Sequence, residues 1–222
     1  MNINEQNSIA FKTKIKIISP DKFRQCVSEL YRAGNLQNIS QYDINPGKMY
    51  AKFKAYSTDA ENIYTKHIRT CSGLLVANKG KKPSLFGHFY NSKENIKDTE
   101  ALDPYIKGSN AILIGSKNFY YYSTELFRTL KCKLRKNNIP TTLFQRLKLE
   151  WEANMAYLSG KDELLLCVKK ADDAREYVRN FADLKKVFGK VKISPFDTIE
   201  FNTKQKPTFW ENLKYRLNNK SH

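Results

Sequence analysis

Short apolar segments recur along this 222-residue chain, each bounded by turn-forming residues and each too short for a buried helix. Cys71 to Ala77 is one such segment, and the turn chemistry of residues 78–81 separates it from a second segment, Leu85 to Tyr90. Two apolar runs joined in this way are typical of a β-hairpin. A third run, Leu164 to Val168, follows a turn at residues 159–162 and predicts another hairpin. The chain is therefore expected to build sheets from local strand pairs.

Helical stretches are interspersed among these strands. Apolar residues recur at helical spacing between Phe23 and Tyr31, between Leu126 and Leu134, and over Ala171 to Gly189. Residues 11–17 instead alternate apolar side chains with lysines, which predicts an edge strand with one charged face. Strands and helices mixed with hairpin connections indicate an α+β fold. Since no composition shift marks a boundary, we expect residues 1–222 to form a single domain with a layered β-sheet core flanked by helices.

The chain is strongly basic, with 39 lysines and arginines against 22 acidic residues and a formal net charge of +17. This balance predicts an acidic partner. Such a partner is one of three kinds: an acidic protein surface, nucleic acid or an anionic membrane surface. Nucleic acid is less favoured because arginine is comparatively sparse and no groove-reading motif occurs. No apolar run is long enough to span a membrane, and residues 1–7 lack the features of a Sec signal. We therefore expect a protein partner with an acidic surface and no membrane span.

One cysteine differs from the others in its surroundings. The four cysteines lie far apart without any Cys-x-x-Cys pair: Cys26, Cys71, Cys132 and Cys167. This spacing indicates neither a zinc site nor a disulfide framework, so we expect reduced thiols. Apolar stripes hold the other three, where cysteine packs as a small hydrophobe. Thr70 and Ser72-Gly73 surround Cys71 with small polar groups that a substrate could reach.

A catalytic cysteine needs a neighbouring base, and the first predicted hairpin supplies one. If its turn is centred between Lys79 and Gly80, Cys71 lies directly opposite His88, with Cβ atoms about 4.5–5.5 Å apart. That distance suits a thiolate–imidazolium pair. His67 is the alternative base, because it precedes Cys71 by four positions and would meet it on a helix. A zinc site built from these three side chains would lack a fourth ligand.

Thr65, Cys71 and His88 stand in the pattern Thr-x5-Cys-x16-His, within the segments Thr65 to Val76 and Gly87-His88-Phe89. This spacing resembles the catalytic signature of the chemotaxis receptor glutamine deamidases. The same order of cysteine and histidine occurs in the catalytic domain of cytotoxic necrotizing factor toxins, which the chain also resembles.

The resemblance covers about residues 50–170 and leaves residues 1–49 and 171–222 as N-terminal and C-terminal extensions. Within the matched part, Ala111 to Gly115 is similar to the family's small-residue strand, and Leu158 to Lys169 is similar to its closing hairpin. The fold that this resemblance implies is a deamidase-like αββα sandwich, in which the sheets pack between helices.

The activity that it implies is that of a cysteine-dependent protein-glutamine deamidase, a hydrolase that converts a glutamine side chain to glutamate through a thioester. Cys71 would be the nucleophile and His88 the acid and base. Thr65 would fix the His88 ring as third member of the triad. In one extended strand Thr65 would lie about 20 Å from Cys71, so this role requires a bend between them. Without that bend Thr65 is an ordinary surface threonine.

Two further expectations concern the reaction. Backbone N–H groups at Thr70, Ser72 and Gly73 would hold the oxyanion of the tetrahedral intermediate. A thiolate at Cys71 would make it the fastest of the cysteines to react with iodoacetamide near pH 6.5. No cofactor and no metal ion are expected in this chemistry.

The biological setting follows from weaker signals. Lysine and asparagine are abundant, as in proteins from AT-rich bacterial genomes, and the terminal extensions have no counterpart in the family. We expect a bacterial effector or toxin, a virulence protein that leaves the bacterial cytoplasm without a Sec signal and acts on a host protein in the host cell cytoplasm. The alternatives are a basic nucleic-acid-binding protein, whose lysine-rich faces would contact phosphates, and another Cys/His enzyme such as a peptidase or transglutaminase.

Overall fold

The computed structural model describes residues 13–39, 56–57, 61–78, 82–90, 96–97, 99–116 and 121–202. The α-helices whose bounds are described are α1 (Pro20–Arg32), α2 (Tyr121–Lys136) and α3 (Phe181–Val187), and short 3-10 helices lie at Thr99–Tyr105 and Ser159–Lys161. The strands are β1 (Thr13–Ile17), β2 (Gln37–Asn38), β3 (Tyr56–Ser57), β4 (Asn62–Ile68), β5 (Ser72–Ala77), β6 (Leu85–Phe89), β7 (Asn110–Ser116), β8 (Thr141–Leu147), β9 (Trp151–Leu158), β10 (Glu163–Lys170), β11 (Phe188–Lys192) and β12 (Asp197–Phe201).

The strands form two mixed sheets. The first sheet has the order β12-β1-β10-β9-β4-β2, and the second has the order β11-β8-β7-β5-β6-β3. The expectation that residues 11–17 form an edge strand is wrong, because β1 pairs in parallel with both β10 and β12. Residues 11 and 12 lie outside the described residues. The lysine-bearing strand is therefore covered on its open side by a strand from the far end of the chain.

Apolar side chains of the described residues pack into three cores, which define the layers of the fold. The core between the two sheets includes Ile63 and Phe86, both fully buried. Leu126 and Leu130 of α2 pack on the outer face of the second sheet. Phe23 of α1 packs on the outer face of the first sheet. The layers are thus helix, sheet, sheet, helix, and the prediction of an α+β fold with a layered sheet core is confirmed.

The helix predicted over Ala171 to Gly189 is shorter in the structure and begins only at α3. Before α3 the chain turns back onto the end of β10, where the backbone N–H of Val178 donates to the carbonyl of Val168 at 2.9 Å. Tyr177 forms an isolated bridge with Lys169 in the same place. The prediction is wrong because a backbone bridge followed by a short helix can bury apolar side chains at nearly helical spacing.

Chain on both sides of residues 50–170 contributes to the sheets. β1 and β2 come from the N-terminal side, and β11 and β12 from the C-terminal side. β12 completes the first sheet and β11 completes the second. The segments that the resemblance leaves unmatched are therefore structural parts of the sandwich wherever the structure describes them.

A buried polar network joins the two sheets at the end where β1 and β12 begin. Asn110 of the second sheet donates to Asp197 and, at 3.0 Å, to the hydroxyl of Thr13 in the first sheet. Thr13 in turn donates to Asp162 at 3.0 Å. Thr142 of the second sheet donates to the other carboxyl oxygen of Asp197. We name these five side chains the polar clamp, because their hydrogen bonds span the inter-sheet core.

The polar clamp makes stability depend on pH through Asp197. Burial raises the pKa of this carboxyl from 3.8 to about 6, although the hydrogen bonds from Thr142 and Asn110 act in the opposite direction. The folded protein therefore holds a proton that the unfolded chain releases at lower pH. The protonated Asp197 contributes its full share to the free energy of unfolding below about pH 4, and this contribution is lost as the pH rises to about 6.

We expect the free energy of unfolding to fall by at most about 3 kcal/mol on this account between pH 4 and pH 7. Urea titrations across this range measure it. Asp197→Asn mimics the protonated carboxyl, so its stability should decline less with pH than that of the native protein. Equal declines in the two proteins would contradict the assignment.

Candidate active site

The hairpin that carries Cys71 and His88 forms as predicted from the apolar runs, but its register differs. Gly73 is paired with His88, and Ser72 is paired with Phe89. The expectation that Cys71 lies directly opposite His88 is wrong, because the connection between β5 and β6 is longer than a tight turn centred at residues 79–80. The observed pairing of β5 with β6 is shifted by two residues from the predicted pairing, which keeps Cys71 and His88 on the same face of the sheet. Cys71 is therefore the diagonal neighbour of His88, just before β5 begins.

Diagonal neighbours on one face of an antiparallel pair have Cα atoms about 7–8 Å apart and side chains that can approach each other. The face in question is the inner one, since Cys71, Leu75 and Phe86 all belong to the core between the sheets. The hairpin thus directs both the candidate nucleophile and the candidate base into the space between the two sheets.

The chain bends between Thr65 and Cys71, as the role proposed for Thr65 requires. β4 ends at Ile68 in the first sheet, residues 69–71 form a bend, and β5 begins at Ser72 in the second sheet. Thr65 consequently faces the hairpin from across the inter-sheet core. Its Oγ1 atom lies 2.6 Å from Nδ1 of His88, and both side chains are buried.

His88 is held as a neutral ring. Burial lowers its pKa to about 4, and the electrostatic effect of His67 acts in the same direction. Among the residues that the structure describes, its buried Nε2 atom has no hydrogen-bond partner. If Nδ1 carries the proton and donates to the Thr65 oxygen, Nε2 presents a lone pair. That arrangement is the one a general base needs.

Cys71 is a neutral thiol in the resting protein. It is 5% exposed. Burial raises its pKa to about 12, although hydrogen bonds from Thr70 act in the opposite direction. The expectation of a standing thiolate–imidazolium pair is therefore wrong, since burial disfavours the charged form of both partners. Proton transfer from the thiol to the ring would have to accompany nucleophilic attack.

The residues around Cys71 divide into two groups. Ser72 and Gly73 lie inside β5 and pair with residues of both β6 and β7, so their backbone groups lie within the strand ladders. Thr70 lies in the bend and contacts the Cys71 thiol through its backbone and its side chain. This geometry favours the N–H groups of Thr70 and Cys71 over those of Ser72 and Gly73 as oxyanion donors.

Gly73 has a packing role. A Cβ atom at this position would lie 2.5 Å from Cδ1 of Ile68 and 2.7 Å from Sδ of Met155. Both of these side chains come from the first sheet, so the absence of a side chain at Gly73 lets the first sheet pack closely beside His88.

His67, the alternative base, is engaged elsewhere. It lies on β4, its side chain is 44% exposed, and its Nδ1 atom is 3.1 Å from a carboxyl oxygen of Glu152. Glu152 is buried and also pairs with Lys169 at 2.7 Å. Sequence reasoning missed this cluster, because nothing in the spacing of three distant residues indicates that β4, β9 and β10 bring them together.

Within the described part of the chain, no group of three or more His, Cys, Asp or Glu side chains is placed to hold a metal ion. No helix in that part is long and apolar enough to cross a membrane. No protein-family model matches the chain, and no curated protein matches it.

The burial of Cys71 changes the expected order of thiol reactivity. The expectation that an apolar stripe holds Cys132 is wrong, because this residue lies exposed on α2. Burial raises the pKa of both Cys71 and Cys167 to about 12. We expect iodoacetamide at neutral pH to label Cys132 first, because accessible thiols react faster than buried ones. Peptide mass spectrometry over a time course measures the order.

The control is Cys132→Ala, which should remove the fast phase and leave the slow labelling of Cys71 unchanged. Labelling of Cys71 ahead of Cys132 in the native protein would show that Cys71 is ionised and accessible in the resting state.

Proposed function

We propose that this protein is a cysteine-dependent protein-glutamine deamidase. The observation that carries the proposal is the 2.6 Å contact between Thr65 Oγ1 and His88 Nδ1, made on the same inner face that holds Cys71. Cys71 is the diagonal neighbour of His88 on that face, and the three residues stand in the Thr-x5-Cys-x16-His pattern. A hydroxyl that fixes one ring nitrogen and leaves the other unpartnered is the arrangement a Cys/His hydrolase uses.

The first half of the reaction forms a thioester. The Cys71 sulfur attacks the carboxamide carbon of a glutamine side chain while its proton passes to Nε2 of His88. The carbonyl oxygen becomes an oxyanion that accepts hydrogen bonds from backbone N–H groups at Thr70 and Cys71. As the carbon–nitrogen bond breaks, His88 returns the proton to the departing nitrogen, and ammonia leaves.

The second half regenerates the thiol. His88 takes a proton from a water molecule, whose oxygen attacks the thioester carbon. The carbon–sulfur bond breaks, the proton on His88 goes to the sulfur, and glutamate is released. Because Nδ1 stays hydrogen-bonded to Thr65 throughout, the same ring nitrogen serves as base and acid in both halves. The side chain of the substrate gains one oxygen and loses one nitrogen, with no change in oxidation state.

Incubation of a host lysate with the protein tests this proposal. Each converted glutamine becomes about 1 Da heavier, which mass spectrometry detects. We expect Cys71→Ala to abolish the conversion, because no other group in the triad can form the thioester. On a substrate found in this way, Thr65→Val should lower kcat by about 10²-fold, since the His88 ring loses its partner.

Thr65→Ser is the matched control, because it keeps the hydroxyl, and it should retain most of the activity. Conversion that persists in Cys71→Ala, or equal rates for Thr65→Val and the native protein, would contradict the proposed mechanism.

The partner we propose is an acidic protein of a host cell, with the chain acting as a bacterial effector or toxin. Residues 126–149 contain no aspartate or glutamate. α2 presents exposed cations along this stretch, and they form what we call the basic face: Arg128, Lys131, Arg135 and Lys136. The exposed Asp103 lies beside this face and pairs with Lys133 at 2.6 Å, so the cations outnumber the neighbouring carboxylate. A surface with an excess of one sign attracts partners of the other and raises the rate of encounter.

Charge reversal tests the basic face. Arg128→Glu/Lys136→Glu should lower kcat/KM on the acidic substrate severalfold and leave kcat nearly unchanged, because encounter and not chemistry is affected. The native protein should show a matching fall between about 50 and 300 mM salt. Lys190→Glu/Lys192→Glu on the exposed side of β11 is the control with the same charge change. Equal losses in both double variants would show that net charge matters and the basic face does not.

A further inference from the structure

β4 contains a bulge immediately before the bend that leads to Cys71. Thr65 is paired with Met155 of β9, and Ile68 is paired with Ala153. Two residues of β4, Lys66 and His67, therefore lie opposite the single residue Asn154. One extra residue on one strand is the definition of a β-bulge.

The bulge decides which way Thr65 faces. In a regular strand, residues three apart lie on opposite faces of the sheet. Ile68 is fully buried in the core between the sheets, so regular pairing would turn Thr65 to the outer face, away from His88. Because of the extra residue, the side chains of Thr65 and Ile68 both face the core between the sheets. The hydrogen bond between Thr65 and His88 therefore depends on the bulge.

The bulge requires a backbone conformation that histidine adopts reluctantly. His67 has φ of 60°, in the left-handed region, which costs a residue with a Cβ atom roughly 1–2 kcal/mol. Such a conformation persists only where the surroundings hold it. Two groups of β9 do so: Asn154 accepts the backbone N–H of His67 at 2.8 Å, and Glu152 contacts its Nδ1 atom at 3.1 Å.

Glu152 is itself fixed from its other side. Lys169 is its direct cross-strand neighbour on β10, and the two charges lie 2.7 Å apart. Both side chains are largely buried, and the desolvation of such a pair offsets much of its attraction. The pair therefore adds little to the free energy of unfolding, and its main effect is to fix the position of the Glu152 carboxylate beside His67. His67 is also close enough to lower the pKa of His88, after the larger effect of burial.

We propose that Glu152 is a positioning residue, which holds the His67 bulge and thereby keeps Thr65 hydrogen-bonded to His88. This inference rests on the proposed deamidase function for its kinetic consequence. Its structural consequence, the contact between Thr65 and His88, stands apart from any activity and is measured separately.

The test uses the full chain and the ¹⁵N resonances of the His88 ring. Glu152→Ala/Lys169→Met removes both charges of the pair, so that no charge is left buried alone. We expect the His88 resonances to move towards their positions in Thr65→Val, which lacks the hydrogen bond altogether. On a converted substrate, kcat should fall by at least about tenfold with little change in KM, because the ring is misplaced and substrate binding is not.

His67→Gly provides the rescue. Glycine adopts positive φ without steric cost, so a glycine at this position holds the bulge without help from Glu152. Added to the double variant, His67→Gly should return the His88 resonances and kcat towards those of the native protein. A merely structural role of the ion pair would not produce this recovery.

Lys14→Met/Glu200→Ala is the matched control, since it removes an ion pair of 2.8 Å from the same sheet away from the bulge and should leave the resonances unchanged.

If the double variant Glu152→Ala/Lys169→Met does not fold, Glu152→Gln keeps the shape of the side chain and should shift the same resonances to a smaller extent. Resonances that stay at their native positions, or that fail to return in the rescue variant, overturn the proposal. Absence of glutamine conversion in the native protein would instead count against the deamidase function, and the ring resonances would still decide the role of Glu152.

Discussion

The short crossing from β4 to β5 is the constraint on which the candidate site depends. Packed sheets lie about 10 Å apart, and three extended residues reach about that far. Residues 69–71 are therefore just long enough to cross from one sheet to the other. This connection fixes the position of the end of β4 relative to the start of β5. Arg69 secures the crossing, because its Nε atom donates to the carbonyl of Leu149 at 2.7 Å. The crossing brings Cys71 to the inter-sheet space, and the bulge in β4 turns Thr65 towards the same space from the first sheet.

The sequence predicted the parts of this arrangement that depend on local pattern. Alternation and apolar runs predicted the hairpin and the placement of Cys71 and His88 on one face, since a two-residue change of register preserves the face. The register itself depends on the length of the connection, which composition does not determine. The bulge at His67 breaks the period of two, so no alternation rule could place Thr65. The contact with Glu152 joins residues 85 positions apart and leaves no local signal.

The protonation states could not be predicted from residue types either. A cysteine beside a histidine suggests an ion pair, yet burial raises the pKa of Cys71 and lowers that of His88. A low-dielectric surrounding penalises both charged forms, and the mutual attraction of the pair has to exceed that penalty. The pair therefore rests in its neutral state. A thiol kept neutral in this way is also protected from oxidants, because the thiolate is the form that they attack.

The polar clamp lies at the end of the sandwich opposite to Cys71, and the two ends are held together differently. Hydrogen bonds to a buried carboxyl are directional and resist displacement, whereas the apolar packing around Cys71 has no preferred direction. At the Cys71 end the sheets are joined by the covalent crossing at residues 69–71 and by the hydrogen bond between Thr65 and His88. Both ends of the sandwich are therefore tied, one by a buried carboxyl and the other by the chain itself. The thiol lies where the two sheets cannot separate without stretching a three-residue link.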